Sequence, residues 1–117
     1  MKRKEMAMAY FEGWGEADTG LILKACAPGY VLDDPDAGEI TEDSLDEFVA
    51  QLRSTVPGGA APFVTNRDIL ADADWSTVSC WWEVPGTGLC GSGLLKISDE
   101  GVLSERVAYY SKQHIMP

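Results

Sequence analysis

Residues 75–98 read WSTVSCWWEVPGTGLCGSGLLKIS, and this stretch decides the fold. Its two halves, 75–84 and 88–98, are strand-like, and only Pro85-Gly86-Thr87 separates them. A connection this short between two strands predicts an antiparallel hairpin.

The same pattern continues on both sides of the hairpin. Segments 63–71 and 102–111 are also rich in β-branched and aromatic residues, and they are joined to the hairpin by Asp72-Ala73-Asp74 and Asp99-Glu100-Gly101. Both joins are short turn sequences. Residues 63–111 are therefore predicted to form a four-stranded antiparallel meander.

The chain before the meander has a helical period at its start. Residues 4–15 place four large apolar or aromatic side chains on one helical face, namely Met6, Tyr10, Phe11 and Trp14. Asp18 is a plausible N-cap for a short second helix that ends at Pro28-Gly29. Its inward residues are expected to be Leu21, Ile22 and Ala25.

One strand and one further helix are predicted between these helices and the meander. Residues 30–33 form the strand. Ser44 and Glu47 have capping-box spacing ahead of an apolar face, which predicts a helix over 44–55. The run 57–62, PGGAAP, is a linker. Helices placed ahead of a run of antiparallel strands indicate an α+β domain.

Length and charge narrow the class of protein. The chain has 117 residues, which predicts a single domain over 1–117. Its formal net charge of −10 argues against nucleic acid or an anionic membrane as a partner, because both require basic surface. The start lacks a signal-peptide pattern, and no apolar run reaches the roughly 18 residues of a membrane span.

The cysteine and histidine content bears on cofactors and location. The three cysteines, Cys26, Cys80 and Cys90, show no metal-binding spacing, and the chain has one histidine, His114. No metal site and no other cofactor is expected from this content. Free thiols fit a reducing cytoplasm, and the cysteines are interpreted as small apolar core residues.

A resemblance to a known family is carried by residues 9–35, AYFEGWGEADTGLILKACAPGYVLDDP. This segment resembles ketosteroid isomerase, with a tyrosine on the first helix, a turn at Ala17-Asp18 and an acid-Asp-Pro end to the first strand. The terminal RVAYYSK resembles the last strand of SnoaL-like domains. The chain thus looks like a nuclear transport factor 2-like protein. That implies a cone of three N-terminal helices on a curved, mostly antiparallel sheet, often dimeric.

The same resemblance implies two catalytic residues. Tyr10 matches the tyrosine that donates to a developing oxyanion, and Asp34 matches the catalytic aspartate base. Gly93 stands where the isomerase has a second, acidic donor, so half of that donor pair is missing here. A structural role for Tyr10, and a solvated turn for Asp34, are the alternatives.

Strand alternation predicts which way the Asp34 side chain points. Tyr30 and Leu32 are the apolar residues that need burial, and Asp34 follows them on the same face, whereas Asp33 faces outward. An acid in an apolar cavity is disfavoured in its charged form, which suits a general base.

The pocket predicted around these residues draws on several elements. The expected substrate-binding residues are Trp14, Tyr30, Phe48, Cys80, Trp82, Arg106 and Tyr110. For Trp82, ordinary core packing is the alternative. Arg106 is expected to face the cavity and to pair with Asp34 or with a substrate carboxylate. A shift of one residue in strand alternation makes it a surface residue instead.

Two functions remain open from the sequence. The first is a small enzyme of isomerase, cyclase or dehydratase type that moves a proton on a small apolar carbonyl compound. The second is a non-catalytic ligand-binding or dimerisation module on the same fold. Trp75 and Trp81 are predicted on the outer face of the sheet, where a homodimer interface covers them.

Overall fold

The structure, a computed structural model, describes residues 2–56 and 62–110. Its elements, in chain order, are α1 (Arg3–Glu16), α2 (Thr19–Lys24), β1 (Cys26–Asp34), β2 (Gly38–Thr41), α3 (Leu45–Ser54), β3 (Thr65–Ala71), β4 (Thr77–Val84), β5 (Leu89–Ser98) and β6 (Gly101–Tyr110). The predicted α+β class is confirmed. Most of the predicted linker and all of the tail that contains His114 lie outside the described residues.

The six strands form one mixed sheet in the order β2-β1-β6-β5-β4-β3. Strands β3 to β6 pair antiparallel with their chain neighbours, so the predicted meander is confirmed. Strand β1 pairs parallel with β6 and antiparallel with β2. Strand β2 was not predicted, because it has only four residues and no apolar alternation.

The structure confirms one of the two predicted helix N-termini. The Asp18 carboxylate accepts a hydrogen bond from the Leu21 amide at 3.1 Å, so this N-cap is confirmed. The capping box predicted at Ser44 is wrong, since its side chain makes no cap hydrogen bond and instead accepts from the Thr41 amide at 3.0 Å. Leu21 is 37% exposed, so its predicted inward direction is also wrong, whereas Ile22 is buried.

The core lies between the helices and one face of the sheet. Alternation along β4 points Val78, Cys80, Trp82 and Val84 inward, as predicted. Helix α1 contributes the buried Tyr10 and β1 contributes the buried Tyr30 and Leu32. No helix in the described part of the chain has the length and apolar character required to cross a bilayer.

A β-bulge near the start of β6 sets which of its side chains face the core. Lys96 is paired with Ser104 and Ile97 with Val102, so one extra residue, Leu103, is inserted in β6. Val102 is buried before the bulge, and Glu105 is buried after it. The extra residue therefore reverses the alternation over the rest of the strand.

Candidate functional site

A cavity opens on the inner face of the sheet and has a volume of about 50 Å³. This is far below the roughly 300–1,000 Å³ of sites for drug-sized ligands. Its floor is made of buried apolar side chains: Phe11, Trp14, Leu32, Trp82 and Val84. Half-buried Phe48, Leu52, Val64 and Leu89 lie nearer solvent and form the mouth. A ligand of more than a few heavy atoms therefore requires the side chains at the mouth to move.

Four polar side chains line this apolar cavity, namely Asp34, Asn66, Glu105 and Tyr109. Asp34 and Glu105 are the buried acids, with exposed fractions of 2% and 7%. Leu32 of β1 is the direct neighbour of Glu105 on β6, and Asp34 lies two residues further along. Strand geometry then separates the Asp34 and Glu105 Cα atoms by about 8 Å. One small ligand can contact both acids.

Asp34 points into the cavity and Asp33 points outward, as the strand alternation predicts. Its Oδ1 accepts hydrogen bonds from the backbone amides of Asp36 at 2.9 Å and Ala37 at 2.8 Å. Its Oδ2 accepts a short hydrogen bond from the Tyr109 hydroxyl. The turn after β1 and the end of β6 therefore fix this carboxylate at the edge of the cavity.

The contact with Asp34 affects the pKa of Tyr109. Burial, and then the hydrogen bond and negative charge of Asp34, raise the pKa of the Tyr109 phenol. Tyr109 keeps its proton and serves Asp34 as a hydrogen-bond donor throughout the ordinary pH range.

Glu105 has a different environment. The Tyr10 hydroxyl donates to its Oε1 at 2.6 Å. Burial raises the pKa of Glu105 to about 7, and the Tyr10 hydrogen bond opposes part of that rise. This carboxyl group is therefore able to gain or lose a proton near neutral pH.

Gly93 makes room for this acid. A Cβ atom at Gly93 would lie 2.2 Å from Glu105 Oε2, well inside van der Waals contact. Gly93 stands where ketosteroid isomerase has its second, acidic donor. In this chain the glycine leaves space into which the Glu105 carboxyl group extends from the neighbouring strand.

Two buried tyrosines stand behind Glu105. The Tyr10 and Tyr30 hydroxyl oxygens are 2.5 Å apart, and both residues are almost fully buried. Burial first, and the nearby Glu105 second, raise the pKa of both phenols. Neither tyrosine lines the cavity, so the structure places Tyr10 behind Glu105, where it reaches the cavity through that residue.

The predicted inward direction of Arg106 and Tyr110 is wrong, because of the bulge in β6. Arg106 Nε lies 3.5 Å from Asp33 Oδ2 on the outer face, with 78% of the arginine side chain exposed. Tyr110 is 46% exposed and packs against Trp81 with the rings tilted at 59° and their centroids 5.8 Å apart. The one-residue shift that the sequence left open is what the structure shows.

The other predicted site residues divide into two groups. Trp14, Phe48 and Trp82 line the cavity, as expected. Cys80 is buried outside the lining, and burial raises the pKa of its thiol to about 12, so it remains an uncharged core residue. No cluster of three or more potential metal ligands forms among residues 2–56 and 62–110.

Trp14 carries an unusual feature for a cavity residue. Its indole Nε1 is buried and has no acceptor among the described residues. Its ring meets those of Tyr10 and Phe48 edge to face, with centroids 6.4 and 6.5 Å away. An unpaired buried donor costs about 1–3 kcal/mol. A ligand oxygen that the indole can reach after a small rearrangement would relieve that cost.

Sequence reasoning missed Glu105 and Tyr109 because both lie beyond the bulge. A signal was present in the sequence. Val102 has an even residue number, whereas the apolar or aromatic residues Val107 and Tyr109 have odd ones. Even- and odd-numbered residues face opposite sides of a regular strand. A change of parity within one strand indicates a bulge between the two sets.

Comparison with solved structures gives whole-chain matches at low sequence identity. A provisionally assigned polyketide cyclase from Xanthomonas campestris has a TM-score of 0.70 at 15% identity, covering 97% of this chain and 93% of that one. TerC, co-crystallised with polyporic acid, has a TM-score of 0.71 at 15% identity, covering 97% and 95%. An NTF2-like protein of unknown function from Cytophaga hutchinsonii has a TM-score of 0.67 at 8% identity, covering 98% and 96%.

These matches establish the fold. The chain has the nuclear transport factor 2-like fold that the sequence resemblance implies. No protein-family model and no curated protein sequence matches the chain. At these identities, the shared fold does not determine the chemistry of the cavity.

Proposed function

We propose that this chain binds a small apolar carbonyl compound in the cavity and catalyses proton transfer on it, as an isomerase, cyclase or dehydratase does. One observation carries the proposal: two buried acids, Asp34 and Glu105, face a cavity whose floor is otherwise apolar. Acids held in unlike environments within one site are a recurring arrangement for acid–base catalysis.

Asp34 is the proposed base. Its contacts in the turn and with Tyr109 use three acceptor positions, and a carboxylate offers about four. The remaining position takes the proton from the carbon next to the ligand carbonyl. The C–H electrons form a carbon–carbon double bond, and the carbonyl oxygen gains negative charge. In a ligand with a carbon–carbon double bond one carbon further on, Asp34 then returns the proton to the far carbon of that bond. The carbonyl re-forms and the double bond moves next to it, which completes an isomerisation.

Tyr10 has an indirect role in this proposal. Because it donates to Glu105 and does not line the cavity, it holds Glu105 in place and does not contact the ligand. The resemblance to ketosteroid isomerase is thus retained for Asp34 and modified for Tyr10. The proposed cone is the space that the helices and the inner face of the sheet enclose around these residues.

A non-catalytic binding module is the second candidate, and the contacts of Asp34 favour it. The same three hydrogen bonds that leave one acceptor position also describe a structural acid that closes the β1–β2 turn. In that case the cavity binds a small apolar ligand and performs no chemistry. TerC, which was co-crystallised with polyporic acid, shares the fold and is compatible with either candidate.

Hydrogen exchange distinguishes the two candidates. Small ketones such as cyclopentanone are incubated with the protein in D₂O, and deuterium incorporation next to the carbonyl is followed by NMR. Asp34→Asn is expected to slow protein-dependent exchange by about 10²–10⁴-fold, the usual contribution of a general base. Asp33→Asn, which alters the adjacent outward acid, is the matched control and should exchange like wild type.

The outcomes decide between the candidates. Ketone binding without protein-dependent exchange supports the non-catalytic module. Equal exchange rates for wild type and Asp34→Asn would remove Asp34 from the role of base.

A second copy of the chain is the proposed macromolecular partner. Trp81, Tyr110 and Leu94 share the outer face of the meander, and the contacting pair Trp81–Tyr110 is partly exposed. Trp75 is not part of this surface, because it precedes β4 and lies under the Lys4 ammonium group, 5.6 Å from its ring centroid.

Light scattering tests the homodimer. Trp81→Glu places a charge in the centre of the outer face and should convert dimer to monomer at micromolar concentration. Leu21→Glu, at an exposed position on α2, should leave the dimer intact. A monomeric wild type at the same concentration would end the proposal.

A further inference from the structure

Glu105 occupies the end of a one-way chain of hydrogen bonds. The Tyr10 hydroxyl has one hydrogen, which it donates to Glu105 Oε1. The contact between Tyr10 and Tyr30 must then be donated by Tyr30. While Glu105 is ionised, the chain runs from Tyr30 through Tyr10 to Glu105, and Oε1 is its acceptor.

The same arrangement has a place for the proton of neutral Glu105. When Tyr10 keeps donating to Oε1, the acid hydrogen lies on Oε2. No hydrogen bond engages Oε2 among the described residues, and the atom occupies the space above Gly93. Because Glu105 lines the cavity, Oε2 is the atom of this residue left to contact a ligand.

We infer that the protonation of Glu105 selects the ligand: the neutral side chain donates a hydrogen bond to an acceptor oxygen in the cavity, and the ionised side chain excludes that oxygen. The physical reason is that an ionised carboxylate has no hydrogen to donate, and its oxygen repels the lone pairs of a ligand oxygen. In an apolar cavity an unpaired ligand oxygen also loses its water without compensation.

The titratable side chains packed against Glu105 from α1, β1 and β4 stay uncharged near neutral pH. Tyr10 of α1, Tyr30 of β1 and Cys80 of β4 have pKa values raised by burial, to about 12 for Cys80, so they stay neutral. Gly93 of β5 has no side chain, and α3 contributes the apolar Phe48 and Leu52 to the cavity. Asn66 of β3 is uncharged.

Asp34 and Tyr109 complete the set that lines the cavity. Tyr109 has a raised pKa and stays protonated, and Asp34 is held by three donors. The inference rests on the proposed function, since it concerns the ligand of that cavity. It adds that Glu105 is the residue that recognises the ligand oxygen, and that the ligand binds best in mildly acidic solution.

The test uses two probes of the same shape. Cyclopentanone carries an acceptor oxygen, and methylenecyclopentane replaces that oxygen with a CH₂ group. Binding of each to the wild-type chain is measured by NMR titration at pH 5.5 and 8.5. If only neutral Glu105 accepts the ketone, its affinity falls about 30-fold over this range, following the neutral fraction of the acid. The hydrocarbon affinity stays constant.

Two variants make the result specific to Glu105. Glu105→Gln keeps a donor and carries no charge, so its ketone affinity should be the same at both pH values. Tyr10→Phe removes the donor that favours ionised Glu105, so the pH at which half of the ketone affinity is lost should rise. A purely structural role for Tyr10 would not move that midpoint, and this variant serves even where Glu105→Gln fails to fold.

Each outcome has a definite meaning. Ketone binding that is independent of pH in wild type, or a parallel loss of ketone and hydrocarbon affinity, would overturn the inference and leave the proposed function standing. Absence of binding of both probes at pH 5.5 would remove the ligand site, and the proposed function with it.

Discussion

Asp34 and Glu105 face one cavity from neighbouring parallel strands, yet the surroundings of their carboxyl groups differ. Asp34 is 2% exposed and accepts three hydrogen bonds, two of them from backbone amides. Glu105 is 7% exposed and accepts one, from Tyr10. Depth of burial does not separate the two acids. The number of donors does, since Asp34 has three and Glu105 has one.

The difference follows from where each acid lies in the fold. Asp34 is the last residue of β1, so the amides of the following turn are free to bind it. Glu105 lies inside β6, where the amides are used by the neighbouring strands, so a side chain has to supply its donor. A strand end provides backbone donors to a buried acid, and a strand centre does not.

The largest expected effect is on the pH dependence of stability. The pKa of Glu105 is about 7 in the folded chain against an ordinary value of 4.5, which corresponds to about 3 kcal/mol. Because the folded-state pKa is raised, Glu105 contributes this stability below pH 4.5. The contribution is lost as the pH rises to about 7. Glu105→Gln lacks the titrating group and should lose none of it.

Urea unfolding at pH 4, 5.5 and 8 measures the effect. The free energy of unfolding of Glu105→Gln, relative to wild type, should rise by about 3 kcal/mol across this range. Taking the difference removes the contributions of the other acids, which both proteins share. Parallel stability curves would show that Glu105 is not held in a proton-binding environment.

The next effect concerns the donor to Asp34. Tyr109→Phe removes the hydroxyl that donates to Oδ2 and leaves the two backbone donors in place. Hydrogen bonds to charged groups contribute about 1.5–3 kcal/mol, so a loss near the lower end is expected for this half-buried tyrosine. Tyr110→Phe is the matched control, because the neighbouring phenol is exposed on the opposite face. Equal unfolding free energies for the two variants would contradict the assigned contact.

The position of Asp34 could be predicted from the sequence. Tyr30, Leu32 and Asp34 alternate without interruption to the end of β1, so the inward direction of Asp34 followed from the apolar pair before it. The meander also followed, because short turns leave antiparallel pairing as the available connection. These features depend on local alternation and turn length, which the sequence contains directly.

The Glu105 side could not be predicted in the same way. A single inserted residue, Leu103, reversed the direction of every later side chain in β6, which exchanged Arg106 for Glu105 in the cavity. The network with Tyr10 and Tyr30 joins three elements that are far apart in the chain. Such contacts depend on tertiary packing, which alternation within one strand does not encode.

The smallest expected effect is at the pair that sequence alternation placed inside. Arg106 and Asp33 form an exposed ion pair on the outer face, at 3.5 Å. Exposed pairs contribute about 0.2–1 kcal/mol and are screened by salt. Arg106→Gln should therefore lower the unfolding free energy by less than about 1 kcal/mol, and the difference should vanish in 1 M NaCl.

The same variant distinguishes an Arg106 side chain on the outer face from one that points into the cavity. An arginine buried against Asp34 would leave an uncompensated charge when removed, and such losses reach about 3–5 kcal/mol. Glu105→Gln, one residue earlier in the chain, provides the inward reference. If Arg106→Gln cost 3 kcal/mol or more and the loss persisted in 1 M NaCl, the bulge at Leu103 would be wrong. The cavity would then contain the cation and not the acid.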